Sequence, residues 1–264
     1  MPLVLGVIPA RYASTRFPGK VLAPLANRPM LEQVWRRAAA ARRIDRLIVA
    51  TEDARVVAAS ESFGGEALLT SDAHASGTDR VAEVVRRLAP RYDVVLNIQA
   101  DEPFLTPTSL DRLVAAFDDD ARRPALATLV EPLDAADDLF DPNVVKVVAR
   151  ADGSALYFSR APIPYHRGGA TRLSADFRTA LAARPGGLAG YRRHQGVYAY
   201  AREALFALAA LPPSPLELDE GLEQLRALEA GLTIRIVDSD FRSLAVDTPA
   251  DLERAERQWM EVSG

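Results

Sequence analysis

The chain predicts an α/β fold, a predominantly parallel sheet flanked by helices with a smaller antiparallel lobe in its second half. Three observations predict it. Short apolar runs with almost no charge, at residues 3–8, 47–50 and 94–98, read as strands buried on both faces. Between them lie stretches with apolar residues at helical spacing, and strands alternating with such helices imply parallel pairing through right-handed crossovers. After residue 125 the pattern changes, because the runs at 126–130, 144–148 and 155–158 follow one another without a long helix between them.

With 264 residues, 48% of them hydrophobic and 26% charged, the chain can bury one substantial core. A single domain over 1–264 is expected, with 125–200 forming the antiparallel lobe and the dimerisation region. The formal net charge of -4 argues against nucleic acid as the main partner, so any phosphate affinity must be local. No apolar run approaches the roughly 20 residues of a membrane span, and the first run is too short for a signal peptide, so no membrane partner and a cytoplasmic location are expected. The absence of cysteine excludes disulfides, thiolate metal sites and a cysteine nucleophile. The three histidines, His74, His166 and His194, show no zinc-site spacing.

The first strand stops at Pro9. The next eleven residues, Ala10-Arg11-Tyr12-Ala13-Ser14-Thr15-Arg16-Phe17-Pro18-Gly19-Lys20, have no periodicity but concentrate three cations, two hydroxyls and a Pro-Gly turn. They sit at the carboxyl end of a first strand, where open α/β sheets place ligands, and their N–H groups with Arg11, Arg16 and Lys20 can converge on a polyphosphate. A solvated basic loop is the competing reading. Of the 32 basic residues only Lys20 and Lys146 are lysine, so a lysine closing this loop suggests a place for a compact point charge rather than a guanidinium fork.

Pro29 opens a helix carrying Leu31, Val34, Trp35 and Ala38 on one face. After the strand at 47–50, a helical stretch around Val56 ends at Gly64-Gly65, and a brief strand at 67–69 completes a βαβαβ unit. His74-Ala75-Ser76-Gly77-Thr78-Asp79-Arg80 precedes the stripe Val81, Val84, Val85 and Leu88. Ser76 or Thr78 can cap this helix, and Gly77 admits a ligand to its positive end, although a capped helix with no ligand fits the pattern equally. The strand at 94–98 delivers Gln99-Ala100-Asp101-Glu102-Pro103 to the same sheet edge. A carboxylate beside a basic loop is where a phosphate-bound magnesium would sit, since magnesium takes one or two carboxylates and completes its shell with substrate oxygens and water. Thr106 and Pro107 start a helix through Leu110, Leu113, Val114 and Phe117.

Apolar strands leaving the parallel core need a cover, which a dimer partner would supply. Strand alternation places Lys146 toward solvent. Residues 191–200 read as a strand, and 216–230 as one helix ended by Gly231, with Leu218, Leu222 and Leu225 on one face and Glu217, Glu220 and Gln224 on another. A last strand covers 233–237. Thr248 and Pro249 start the final helix, a task for which Asp247 is not needed.

The loop from Ile8 to Lys20 resembles the nucleotide-binding signature of the 3-deoxy-manno-octulosonate cytidylyltransferase (CMP-Kdo synthetase) family. Further segments are similar to family motifs: 74–80 to H-x-S-G-T-[DE]-R, 99–103 to Q-G-D-E-P, 159–165 to a loop near the sugar pocket, 194–200 to H-x-G-[IV]-Y-x-[YF], 220–226 to E-x-L-E-Q-L-R and 246–252 to V-D-T-P-E-D-L. The resemblance implies transfer of CMP from CTP to the anomeric hydroxyl of the sugar acid Kdo, releasing pyrophosphate, for lipopolysaccharide biosynthesis. It implies nucleotide contacts from Pro9, Ala10, Arg11, Ser14, Thr15, Arg16, Lys20, Ser76, Arg80 and Gln99, and sugar contacts from Arg160, His194, Tyr198, Glu220 and Gln224. Arg11, Lys20, Asp101 and Asp247 would carry catalysis, with magnesium on Asp101 and Asp247, in a homodimer. Three departures stand out. Ala100 replaces a glycine and would cost about 1 kcal/mol if that position uses positive φ; Gln195 replaces an apolar residue; and 167–190 is a longer Gly-, Ala- and Arg-rich stretch expected to form a mobile surface excursion and possible lid.

The alternatives are a cytidylyltransferase for another acidic sugar such as 8-amino-Kdo, and a non-catalytic nucleotide-sensing protein on the same scaffold. A nicotinamide dehydrogenase is disfavoured because the first loop lacks G-x-G-x-x-G, and the chain also lacks G-x-x-x-x-G-K-[ST].

Overall fold

A computed structural model of the protein describes residues 1–74, 76–88, 91–119, 121, 123–166, 181 and 186–263. Strand β1 (Val4–Pro9) lies inside the sheet because both its faces are apolar. Leu5 and Val7 point into one core layer, Val4 and Ile8 into the other, and all four are at most 1% exposed. Each such side chain contributes about 1.5–3 kcal/mol by leaving water. A two-residue hairpin, β2 (Pro24–Leu25) and β3 (Arg28–Pro29), turns through Ala26 and Asn27, both at positive φ, as a type I′ turn requires. Helix α1 (Met30–Ala39), β4 (Arg46–Thr51), α2 (Ala54–Ser62), β5 (Glu66–Leu69), α3 (Gly77–Arg87), β6 (Val94–Asn97) and α4 (Pro107–Ala115) follow. β1 pairs in parallel with β4 and β6, and β4 with β5, as the alternating pattern requires.

The second half comprises β7 (Leu126–Pro132), α5 (Ala136–Phe140), β8 (Lys146–Ala149), β9 (Ala155–Ser159), β10 (Arg192–Ala201), α6 (Arg202–Ala210), α7 (Pro215–Glu220), α8 (Gln224–Glu229), β11 (Ile234–Asp238) and α9 (Pro249–Ser263). The antiparallel pairing predicted for this half is present, but it is continuous with the main sheet. The order is β11-β7-β10-β6-β1-β4-β5, with β10 antiparallel to both β6 and β7. Among the described residues the β8–β9 hairpin leaves this path, attached to β10 where Arg193 faces Lys146. An irregularity between Gln195 and Tyr198 bends β10. Gly196 there lies beside the segment that follows β6, where a Cβ on it would lie 3.6 Å from Gln99 Cγ.

Three expectations change. The helix predicted over 216–230 is two helices, because Gly221, at φ 62, caps α7 and turns the chain before α8. Leu218 is consequently exposed while Leu222 and Leu225 are buried. Lys146 is fully buried rather than solvent-facing, its ammonium turned onto the main-chain carbonyls of Asp141, Val144 and Arg160. Ala100 is not among the positive-φ residues, so the backbone cost foreseen there does not arise. Gln195 is buried, its amide nitrogen donating to the Phe241 carbonyl at 3.2 Å while its Oε1 is left without a hydrogen-bond partner. The excursion expected at 167–190 lies largely outside the described residues.

Candidate active site

The loop after β1 is held in shape by its own backbone. The Tyr12 carbonyl accepts N–H groups from Ser14 and Gly19, each at 2.9 Å, and the Tyr12 N–H donates to Glu52 Oε1 at 2.9 Å beyond the end of β4. Gly19 sits at φ 76, where a Cβ would also press on the Tyr12 hydroxyl from 3.1 Å, so this turn requires glycine. The turn aims Lys20 into a cleft between the loop, Gly77 at the start of α3, and the segment from Gln99 to Asp101 after β6.

In that cleft, side chains far apart in sequence meet. Lys20 Nζ donates to Asp101 Oδ2 at 2.6 Å and to Asp247 Oδ1 at 2.8 Å, while Arg16 Nη2 lies 3.1 Å from Asp247 Oδ2. The backbone joins the same two segments, Val246 N–H donating to the Asp101 carbonyl at 2.9 Å. Burial alone would lower the Lys20 pKa, but Asp101 and then Asp247 outweigh it and raise it above the ordinary lysine value. Lys20 is therefore an ammonium. The two carboxylates share the Lys20 ammonium as a common hydrogen-bond donor. No group of three or more His, Cys, Asp or Glu suited to a metal occurs among the described residues. Two carboxylates alone suit magnesium, which would draw its remaining ligands from phosphate oxygens and water.

Asp247 is steered by the start of α9, where Thr248 and Asp251 cap each other and the Asp247 N–H donates to Asp251 Oδ2 at 3.1 Å. Behind Asp101, the buried Glu102 meets the Ser243 hydroxyl with both oxygens, at 2.7 and 2.9 Å. Burial pushes Glu102 up to about 8 despite the Ser243 bond, so at neutral pH carboxyl and hydroxyl each supply one hydrogen. A carboxyl whose folded pKa exceeds its unfolded value binds more proton when folded. Its stabilising contribution is full below about 4.5 and is lost as pH rises to about 8. Glu102→Gln offers Ser243 the same donor and acceptor without titrating. Thermal unfolding at pH 5 and pH 8 should show the wild type losing more stability across that interval than the variant; equal losses would contradict a protonated Glu102.

Of the predicted nucleotide residues, Pro9, Arg11, Ser14, Thr15, Arg16, Lys20 and Gln99 line the cleft. Ala10 turns its side chain into the core. Ser76 is the N-cap of α3 in a capping box with Asp79. Arg80 is wholly buried, with Nη1 donating to Thr70 Oγ1 at 2.5 Å and Nη2 3.0 Å from Glu52 Oε2. Through Glu52 it braces the Tyr12 backbone instead of presenting its guanidinium to the cleft.

The predicted sugar residues form a second group on the other side. The Glu220 carboxylate accepts from Ser159 Oγ at 2.6 Å and from the Arg160 N–H at 2.9 Å, and Arg160 Nε donates to the Glu220 carbonyl at 2.6 Å. His194 stacks edge-on against Phe158 at 5.1 Å and lies 5.4 Å from Tyr198. Tyr198 and Gln224 share the wall of a small internal cavity with Glu223. Burial, reinforced by Arg193, pushes His194 down to about 3, so its ring is neutral. The Thr128 hydroxyl has one hydrogen, which the Val197 carbonyl at 2.9 Å takes, so it accepts from His194 Nε2 at 3.0 Å. These partners assign the Nε2–H tautomer and leave Nδ1 as an acceptor. Imidazole nitrogen NMR should show that single tautomer in the wild type and in Thr128→Ser, and a mixture in Thr128→Val; an unchanged Thr128→Val spectrum would remove Thr128 from this role.

Glu223 joins the two groups, accepting from Ser76 Oγ at 3.1 Å and Thr78 Oγ1 at 2.9 Å. Glu223 thus ties the start of α3, whose Gly77 lines the cation-rich cleft, to the small cavity walled by Tyr198 and Gln224.

A family model described as cytidylyltransferase matches residues 5–235. The chain belongs to the cytidylyltransferase family. Similar relatives of this cytidylyltransferase include the 3-deoxy-manno-octulosonate cytidylyltransferases of Anaeromyxobacter dehalogenans, 49% identical over 94% of each chain, and Myxococcus xanthus, 47% identical over 96% of this chain and 94% of that one. Among solved structures, a CMP:2-keto-3-deoxy-manno-octonic acid synthetase complexed with CTP is 38% identical, with a TM-score of 0.86 over 98% of this chain and 99% of that one. The 4-diphosphocytidyl-2C-methyl-D-erythritol synthase of Anaerococcus prevotii, 13% identical with a TM-score of 0.61 over 98% of this chain and 99% of that one, shares the fold.

Three acidic residues of this cytidylyltransferase escape a reading of its sequence: Glu52, Glu102 and Glu223. Gly221 is the available signal for Glu223, because a C-cap there ends one helix and presents the next residues in a new frame. Nothing local marks Glu52 or Glu102, whose roles come from partners far along the chain.

Proposed function

We propose that the chain catalyses transfer of CMP from CTP to the anomeric 2-hydroxyl of Kdo, giving CMP-Kdo and pyrophosphate for lipopolysaccharide biosynthesis. The observation that carries this reading is the meeting of Lys20, Asp101 and Asp247 in a cleft edged by Arg11 and Arg16. The names of the relatives support the choice of sugar. Charge builds on the phosphoryl oxygens and leaving group as the sugar hydroxyl attacks the α-phosphorus, so the protein's task is to position and neutralise. Arg11, Arg16 and Lys20 hold the triphosphate, with loop N–H dipoles adding to them. In this reading Pro9, Ala10, Ser14, Thr15, Ser76, Arg80 and Gln99 hold or frame the nucleotide. Arg160, His194, Tyr198, Glu220 and Gln224 frame the sugar acid.

Asp101 and Asp247 would hold magnesium, which when bound supplies Lewis-acid activation of the attacking oxygen and charge for the leaving one. Lys20 would then move from the carboxylates onto phosphate oxygens. Direct displacement needs no protein nucleophile. A pyrophosphate-release assay with CTP, magnesium and a panel of sugar acids tests the proposal. Release should require Kdo and be weaker with its 8-amino analogue; the reverse order would reassign the sugar, and CTP binding without release from any acid would make the protein a sensor.

We further propose a cytoplasmic homodimer. Leu156 on the edge strand β9 and Leu218 on α7 are exposed apolar side chains that a second copy would cover. Sedimentation equilibrium tests this, and a monomer at micromolar concentration would refute it. No helix among the described residues is long and apolar enough to cross a membrane.

A further inference from the structure

Lys146 takes no part in the chemistry above, yet it is one of only two lysines in the chain and is wholly buried. Its Nζ donates to three main-chain carbonyls, those of Asp141 at 2.9 Å, Val144 at 2.7 Å and Arg160 at 2.5 Å. Three hydrogens are what an ammonium offers, and a neutral amine offers two. A planar guanidinium is ill-suited to three carbonyls converging on one point, which accounts for lysine in a chain that otherwise uses arginine. Burial pushes its pKa down to about 8, with Asp141 and Glu220 opposing and Arg160 adding to the fall, so it keeps its third hydrogen at neutral pH.

The three carbonyls come from two places, the turn before β8 and the residue after β9. The Arg160 side chain reaches back to the same turn, Nη1 donating to the Pro142 carbonyl at 2.7 Å while Nε holds Glu220. Arg160 is therefore fixed from both ends, its carbonyl by Lys146 and its guanidinium by the turn and the end of α7. β10 enters the same knot, because the His194 N–H donates to the Val145 carbonyl at 2.9 Å.

We propose that Lys146 is a positioning residue for the sugar half of the site, pinning Arg160 and the backbone at His194 where the sugar acid is received without touching it. The inference rests on the reading of Arg160 and His194 as sugar-side residues. A lysine that served the fold alone would affect both substrates alike, whereas a positioning residue acts on one.

The test compares wild type, Lys146→Met, Lys146→Gln and Arg160→Ala by steady-state kinetics with Kdo varied at saturating CTP, and by calorimetric CTP binding without sugar. The KM for Kdo should rise about tenfold or more in both Lys146 variants and in Arg160→Ala, the scale on which misplacement of a substrate-holding group acts. CTP affinity should stay within about twofold of wild type, which also shows that the variants fold. If Arg160→Ala raises the sugar KM and the Lys146 variants do not, this inference alone falls. If Arg160→Ala also leaves that KM unchanged, the sugar-site reading falls and takes the inference with it. Loss of CTP binding in step with the sugar KM, or variants that do not bind CTP at all, would make Lys146 a residue of the general fold and overturn the proposal.

Discussion

Asp247→Asn should lower turnover by about a hundredfold or more, the scale on which loss of one group that stabilises transition-state charge acts, and should leave the protein folded. The asparagine keeps the shape of the side chain and can still accept from Lys20 Nζ, now at 2.8 Å, so the ligand-free fold has little reason to change. What it removes is a negative charge from the pair that would share a cation. Asp101→Asn should have an effect of the same size. Turnover is measured at saturating CTP and magnesium, with thermal unfolding as the control, and near-normal turnover in either variant would remove that residue from the metal-holding role.

Lys20→Met should be costlier still, about a thousandfold in turnover, the scale seen when a transition-state cation is removed from phosphoryl transfer. Its effect on stability follows from the same geometry. Without the ammonium, Asp101 and Asp247 face each other with only the exposed Arg16 beside them, so the metal-free variant should unfold at a lower temperature. Millimolar magnesium should recover more of that loss in the variant than it adds to the wild type, because the ion takes the place the ammonium left. The pH dependence has a definite sign. The folded pKa of Lys20 lies above the ordinary lysine value of 10.5, so its stabilising contribution is complete below that value and is lost only as pH climbs past the folded pKa. A Lys20→Met protein as stable as wild type without metal, and unmoved by magnesium, would contradict this picture.

Much of this architecture is legible in the sequence because its signals are local. The uncharged run of β1 can only be a strand covered on both faces, and Pro18-Gly19 announces a turn whose geometry requires glycine. The residues that gather around one cleft are identifiable because each closes a strand or opens a helix, positions where open α/β sheets gather ligands. What escapes has a common cause. Alternation misplaces Lys146 because it describes the two faces of a strand and is silent on the carbonyls, from the turn before β8 and from Arg160, that receive the ammonium. Arg80 reads as a nucleotide contact, and spacing does not show that its guanidinium also meets Glu52 and Thr70 on other elements. The helix expected over 216–230 runs through Gly221, although a glycine within a helical stripe is the residue best able to end it. In each case tertiary partners, invisible to spacing, decide the role.

Asp101 and Asp247, separated by most of the chain, both accept from the Lys20 ammonium, and on the proposed reading they serve one metal ion. A double-mutant cycle on turnover tests this directly, with Asp101→Asn, Asp247→Asn and the pair measured against wild type under the same saturating CTP, magnesium and Kdo. If the two carboxylates serve a single ion, the double variant should turn over about as slowly as the slower single variant. Losses that multiply in the double variant would mean that the two residues act independently, and would contradict a site built around one shared cation.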